Sequence, residues 1–89
     1  MKVRLFVKPT CPWCRDARHW LDAKGVQYET LDILTDSRAY TEMLNLSRQR
    51  FVPVIDVDGA ILADFGPEEL ANFWTRLPLP PGLAAKTAA

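Results

Sequence analysis

The only two cysteines of the chain stand two residues apart, in Lys8-Pro9-Thr10-Cys11-Pro12-Trp13-Cys14. In front of them Val3-Arg4-Leu5-Phe6-Val7 reads as a strand with an uncharged centre, as in a strand covered on both faces. Pro9 and Thr10 break it. Pro12 suits the first turn of a helix, where a missing N–H costs nothing. The spacing predicts a helix from Cys11 or Pro12 to Lys24, with Cys14, Ala17 and Leu21 turned inward, Trp13 and Trp20 beside them, and Gly25 as cap. Val26 to Asp32 reads as a second strand. Strand, helix and strand over about thirty residues predict a βαβ unit with parallel strands and a right-handed crossover.

Thr35 and Asp36 offer N-caps to a second helix, about Ser37 to Leu46, expected to bury Tyr40, Met43 and Leu44. After the polar Ser47-Arg48-Gln49-Arg50, the runs Phe51 to Val57 and Ala60 to Ala63 flank Asp58-Gly59. An Asp-Gly pair between two apolar runs predicts an antiparallel hairpin. Pro53 cannot donate to a ladder and is expected where its strand starts. Gly66-Pro67-Glu68-Glu69 opens a third helix with proline first and acids in the first turn. Leu70, Phe73, Trp74 and Leu77 then fall on one apolar face. The order β-α-β-α-β-β-α predicts an α/β fold, a mixed four-stranded sheet with helices on both faces. Residues 1–77 are expected to form one domain and residues 78–89 a flexible Pro/Ala-rich tail.

Eighty-nine residues suffice for one core. A net charge of zero gives no reason to expect nucleic acid or an anionic membrane surface as partner. Arg4 and Lys8-Pro9 interrupt the opening apolar run, so it does not read as a signal peptide. No segment approaches the roughly 18 apolar residues of a membrane span. The expected location is the cytoplasm, where a Cys-x-x-Cys is catalytic or metal-binding rather than a structural staple.

Three readings of the pair compete. Zinc needs about four ligands, and beyond the two thiols the chain offers His19, with Asp16 as a further donor. A buried, chemically idle pair is the second. The third is redox chemistry, the usual meaning of Cys-x-x-Cys beside a βαβ pattern, and it takes most of the weight. Cys11 is the expected nucleophile, because unpaired N–H groups and the dipole at a helix N-terminus favour a thiolate. Lys8 and Arg15 are candidate cations beside it. Cys14, one turn on, points along the buried stripe. His19, mid-helix, is given no role.

These residues resemble the glutaredoxin family of the thioredoxin superfamily, whose dithiol members carry Cys-Pro-aromatic-Cys, here Cys11-Pro12-Trp13-Cys14. Lys8 stands three residues before the first cysteine, as in the family. Gln49-Arg50 followed by Val52-Pro53 is similar to the family's Gln-Arg-Thr-Val-Pro, in which the proline peptide is cis and faces the active site. Gly66-Pro67-Glu68-Glu69-Leu70 matches the opening of the last helix in small bacterial members. The resemblance covers Met1 to Leu77 and implies a thioredoxin-like fold and thiol-disulfide exchange on disulfide or glutathionylated protein substrates. It implies no tightly bound cofactor and no metal, glutathione as co-substrate, and a monomer. By the same resemblance Val52 pairs its backbone with the peptide part of glutathione. Lys8, Gln49 and Arg50 face the glycine carboxylate, Trp13 flanks the sulfur, and Asp64 or Glu68 holds the γ-glutamyl end.

The chain also departs from the pattern. Ala63-Asp64-Phe65-Gly66 stands where glutathione-using members carry Gly-Gly, a small residue and aspartate, and Phe51 replaces the threonine before Val-Pro. Phe65-Gly66-Pro67 is similar instead to redoxins that take electrons from thioredoxin reductase. That electron donor, and a dimer built around a 2Fe-2S cluster with one cysteine from each copy, remain as alternatives.

Overall fold

The computed structural model describes residues 1–77; the expectation of a flexible tail over 78–89 lies outside them. Four strands form one mixed sheet in the order β2-β1-β3-β4. They are β1 (Val3–Val7), β2 (Glu29–Asp32), β3 (Val54–Val57) and β4 (Ala60–Ala63), interleaved with the helices α1 (Pro12–Ala23), α2 (Ser37–Ser47) and α3 (Pro67–Thr75). As the βαβ reading requires, β1 and β2 run parallel. The pairs β1 with β3 and β3 with β4 run antiparallel.

The side-chain period of two along β1 divides the core. Val3, Leu5 and Val7 pack with Cys14, Ala17 and Leu21 of α1, Leu70 of α3, and Phe65. Phe6 faces the other way and packs with Ile33, Val54, and Ala39 and Met43 of α2. Leu5, Phe6, Leu21, Met43 and Phe65 are among the largest fully buried side chains, each worth about 1.5–3 kcal/mol of transfer free energy. Trp20 and Trp74 meet edge to face across α1 and α3, with ring centroids 5.7 Å apart. On the α2 face Arg4 pairs with buried Asp56, directly opposite it in the ladder, and with Glu42 of α2.

Three sequence expectations shift. The second strand begins at Glu29 rather than Val26, because Val26 is used in closing α1. Its N–H donates to the Leu21 carbonyl while Gly25, at φ 70°, donates to Asp22, the two bonds of a Schellman cap. The third strand begins at Val54 rather than Phe51, since Pro53 has no N–H for the ladder. In α2 the sheet-facing pair is Ala39 and Met43, at i and i+4. Tyr40, expected to be buried, therefore lies on the exposed side, about 100° further round the helix. The Asp58-Gly59 hairpin forms as expected, with positive φ at both residues (52° and 95°), as a two-residue primed turn needs.

Candidate active site

Both cysteines are free thiols where β1 hands over to α1. Cys11 is the N-cap of α1, with extended backbone (φ −87°, ψ 115°), and its sulfur accepts a hydrogen bond from the Cys14 N–H at 3.1 Å. Pro12, at the first helical position, brings no N–H, so this donor comes from one turn along. The Cys11 N–H donates to the Lys8 carbonyl at 3.3 Å, and its carbonyl accepts from Arg15 at 3.2 Å. A recess of about 170 Å³, lined by Pro9, Thr10, Cys11, Pro12 and Arg15, opens over this turn.

The two thiols differ in surroundings. Cys11 is partly exposed, whereas Cys14 is 1% exposed inside the α1–α3 core. Burial first, and then the hydrogen bond with Cys11, push the Cys14 thiol up from an ordinary 9.0 to about 12. An amide is thus aimed at the partly exposed sulfur, while the core encloses the other.

The loop before β3 carries Val52 and Pro53. The Val52–Pro53 peptide is cis. Pro53 is fully buried, and Val52, like Cys11, packs on the core cluster that holds Cys14 and Phe65. The Pro53 carbonyl accepts from the Asp64 N–H at 2.9 Å. Asp64 has φ 53° and is exposed; Phe65 after it is buried. Gly66 then lies under the ring of half-exposed Trp13: a Cβ there would come within 3.1 Å of Trp13 Cζ3.

Lys8 and Arg50 line one groove of about 300 Å³ with Ile33, Leu34, Tyr40 and Phe51. The Arg50 guanidinium lies 5.8 Å from the Phe51 ring centroid, within cation–π range. Gln49 is used differently. Its side-chain amide donates to Ser47 Oγ and to the Phe51 carbonyl, and its oxygen accepts from the Phe51 N–H at 2.8 Å. It braces the loop that carries Val52 and Pro53. Glu68 is exposed in the first turn of α3. Among the described residues no group of three His, Cys, Asp or Glu is placed to hold a metal ion.

Sequence reasoning passed over Ser47, which anchors Gln49; Gly66, read only as a helix opener; and Leu34 and Tyr40, which line the groove. A glycine before Pro67 is the one sequence signal that could have singled out Gly66. Nothing in the pattern marks Ser47.

The arrangement suits thiol-disulfide exchange, and comparison with known proteins agrees. The sequence pattern of the glutaredoxin family matches residues 3–62. The chain is 34% identical over 68 residues to an uncharacterized glutaredoxin-like 8.6 kDa protein in the rubredoxin operon of Clostridium pasteurianum, covering 76% of this chain and 91% of that one. It is 36% identical over 56 residues to glutaredoxin 3 of Escherichia coli K12, covering 63% of this chain and 68% of the relative. The crystal structure of the thioredoxin-like protein BC3987 superposes with a TM-score of 0.75 at 28% identity, covering 81% of this chain and 99% of that one.

Proposed function

The chain belongs to the glutaredoxin family of thioredoxin-fold redox proteins, and from that premise we propose that it reduces protein disulfides or glutathione mixed disulfides through Cys11 and Cys14. The observation that carries this reading is the Cys14 N–H bond to the Cys11 sulfur, made by a residue whose own thiol is buried. Cys11 Sγ attacks one sulfur of the substrate disulfide. A new S–S bond forms, the substrate bond breaks, and the first substrate sulfur leaves as a thiolate with the electron pair. Cys14 is still protonated at that stage, because burial and Cys11 hold its thiol up to about 12. Once Cys11 is in a mixed disulfide its contribution is gone. Cys14 then yields its proton to the departing thiolate, attacks Cys11 Sγ, and releases the second substrate sulfur. The substrate has gained two electrons, and Cys11 and Cys14 are left as a disulfide.

Glutathione is the first electron donor to consider, with Lys8 and Arg50 toward its glycine carboxylate, Val52 along its peptide, Pro53 and Trp13 beside the sulfur, and Asp64 toward its γ-glutamyl end. One observation favours thioredoxin reductase as the second. The Gln49 amide, expected on the glycine carboxylate, is occupied by Ser47 and Phe51.

Coupled assays on a glutathionylated protein decide, with glutathione and its reductase in one and thioredoxin reductase in the other. Turnover with glutathione supports the first donor, and turnover with thioredoxin reductase alone the second. Cys11→Ser is expected to lower turnover by at least about a thousandfold in either assay. Cys14→Ser is expected to spare deglutathionylation, since glutathione can resolve the mixed disulfide in its place. Activity retained in Cys11→Ser overturns the assignment of nucleophile.

A further inference from the structure

The groove beside Lys8 is better furnished than glutathione alone requires. Four of its six lining residues are Ile33, Leu34, Tyr40 and Phe51; the other two are the cations Lys8 and Arg50. Leu34 is 64% exposed and Phe51 57%, so two large apolar side chains face water in the groove that Lys8 also lines. Local structure holds them there. The Leu34 N–H donates to Asp32 Oδ1 at 2.9 Å, and the Asp36 N–H to the Asp32 carbonyl, which turns Leu34 outward while Ile33 stays buried. Phe51 is held by both ends of the Gln49 amide. Lys8 and Arg50 enter no ion pair among the described residues, where the pairs formed are those of Arg4.

Glutathione, a tripeptide of polar groups ending in glycine, has no apolar side chain to set against Leu34, Tyr40 and Phe51. An apolar residue followed by a carboxylate fills both halves of the groove. We propose that this groove is a docking site for substrate polypeptide, selecting disulfides whose flanking chain carries an apolar side chain next to Asp or Glu. The position fits. Lys8 belongs to the groove and its neighbour Pro9 to the recess over Cys11, so the groove meets the chain three residues before the reactive sulfur. The inference rests on the exchange activity proposed above and names the substrate feature that activity reads.

Three probes test it, each carrying its cysteine as a mixed disulfide with 5-thio-2-nitrobenzoate. One peptide has Leu-Leu-Asp-Glu beside the cysteine, a second has Ser-Ser-Lys-Lys, and the third probe is N-acetylcysteinamide. The fully reduced protein is mixed with each, release of the coloured thiolate is followed, and rates are divided by those with dithiothreitol. The acidic apolar peptide is expected to react at least about tenfold faster than the basic one, a difference of about 1.4 kcal/mol. Leu34→Asp and Tyr40→Ser are expected to erase that preference while N-acetylcysteinamide reacts as with wild type; both side chains are exposed, and a thermal melt verifies folding. Equal rates with the two peptides overturn the proposal, as does a preference that survives both variants. Failure of wild type to react with N-acetylcysteinamide sinks the exchange activity itself, a separate result.

Discussion

Trp13 leans on Gly66: the ring lies where a Cβ on residue 66 would stand 3.1 Å from Cζ3 and 3.5 Å from Cε3. The first residue of α1 after Pro12 is thereby seated on the residue that caps α3. Gly66 has φ −103°, which any residue adopts, so its smallness serves the ring rather than the backbone.

Gly66→Val is therefore expected to push the indole off its seat with little effect on folding. Shifting a residue of the reactive turn is expected to slow Cys11 attack about 2- to 10-fold, within the roughly 100-fold that a 1 Å misplacement can cost. The Trp13 indole N–H resonance, assigned with Trp13→Phe, reports the displacement directly. An unmoved resonance and an unchanged rate would show that the contact is incidental.

The raised Cys14 thiol makes stability depend on pH in the alkaline range. A group whose folded-state pKa is raised contributes stability that is complete below its unfolded value and lost as pH climbs through the folded one. For Cys14 that window runs from 9.0 to about 12. Reduced wild type is expected to lose more denaturant resistance between about pH 8 and about pH 11 than Cys14→Ala does. Parallel losses in the two proteins would mean that burial does not hold the Cys14 proton.

The order of elements, the hairpin turn, the core stripe of α1 and the placement of Cys11 at the helix start and of Cys14 in the core were legible because each is written locally. A proline at a helix start, Asp-Gly between apolar runs, and a 3.6-residue period need no knowledge of the rest of the chain. What was not legible depends on contacts distant in sequence. Tyr40 and Ala39 are adjacent, and only docking of α2 on Phe6 and Val54 decides which one is buried. Val26 has a strand-forming side chain, yet its N–H is claimed by the end of α1. Gln49 carries a ligand-like side chain that the fold uses on its own loop. Arg4 looked like an interruption in an apolar strand, and its partners lie 38 and 52 residues away.

That Arg4 network yields an unequal pair of substitutions. Asp56 accepts from Arg4 Nη2 at 2.6 Å and Nε at 3.1 Å, and from the Gly59 N–H at 2.8 Å, with its side chain 9% exposed. Glu42 makes one contact at 2.8 Å from a side chain 45% exposed. Removing one partner of a buried pair costs about 3–5 kcal/mol, and Arg4 keeps Glu42, so Asp56→Ala is expected at the low end, about 3 kcal/mol. Glu42→Ala is expected to cost under about 1 kcal/mol, as exposed pairs do. Urea unfolding of the two variants checks the ranking, and equal losses would contradict it.

Gln49 separates support from ligand binding. Its amide bonds to Ser47 Oγ and to both backbone groups of Phe51, so truncation frees the segment leading into Val52 and Pro53. Partly exposed hydrogen bonds contribute about 0.5–1.5 kcal/mol each. Gln49→Ala is expected to lower the thermal midpoint and to slow Cys11 attack about equally on N-acetylcysteinamide and on a glutathione mixed disulfide. A glutathione ligand behaves otherwise, raising KM for glutathione when removed and leaving the midpoint and the small probe untouched. Measuring both substrates on one preparation tells the two apart, because only loss of the brace disturbs a reaction in which glutathione takes no part.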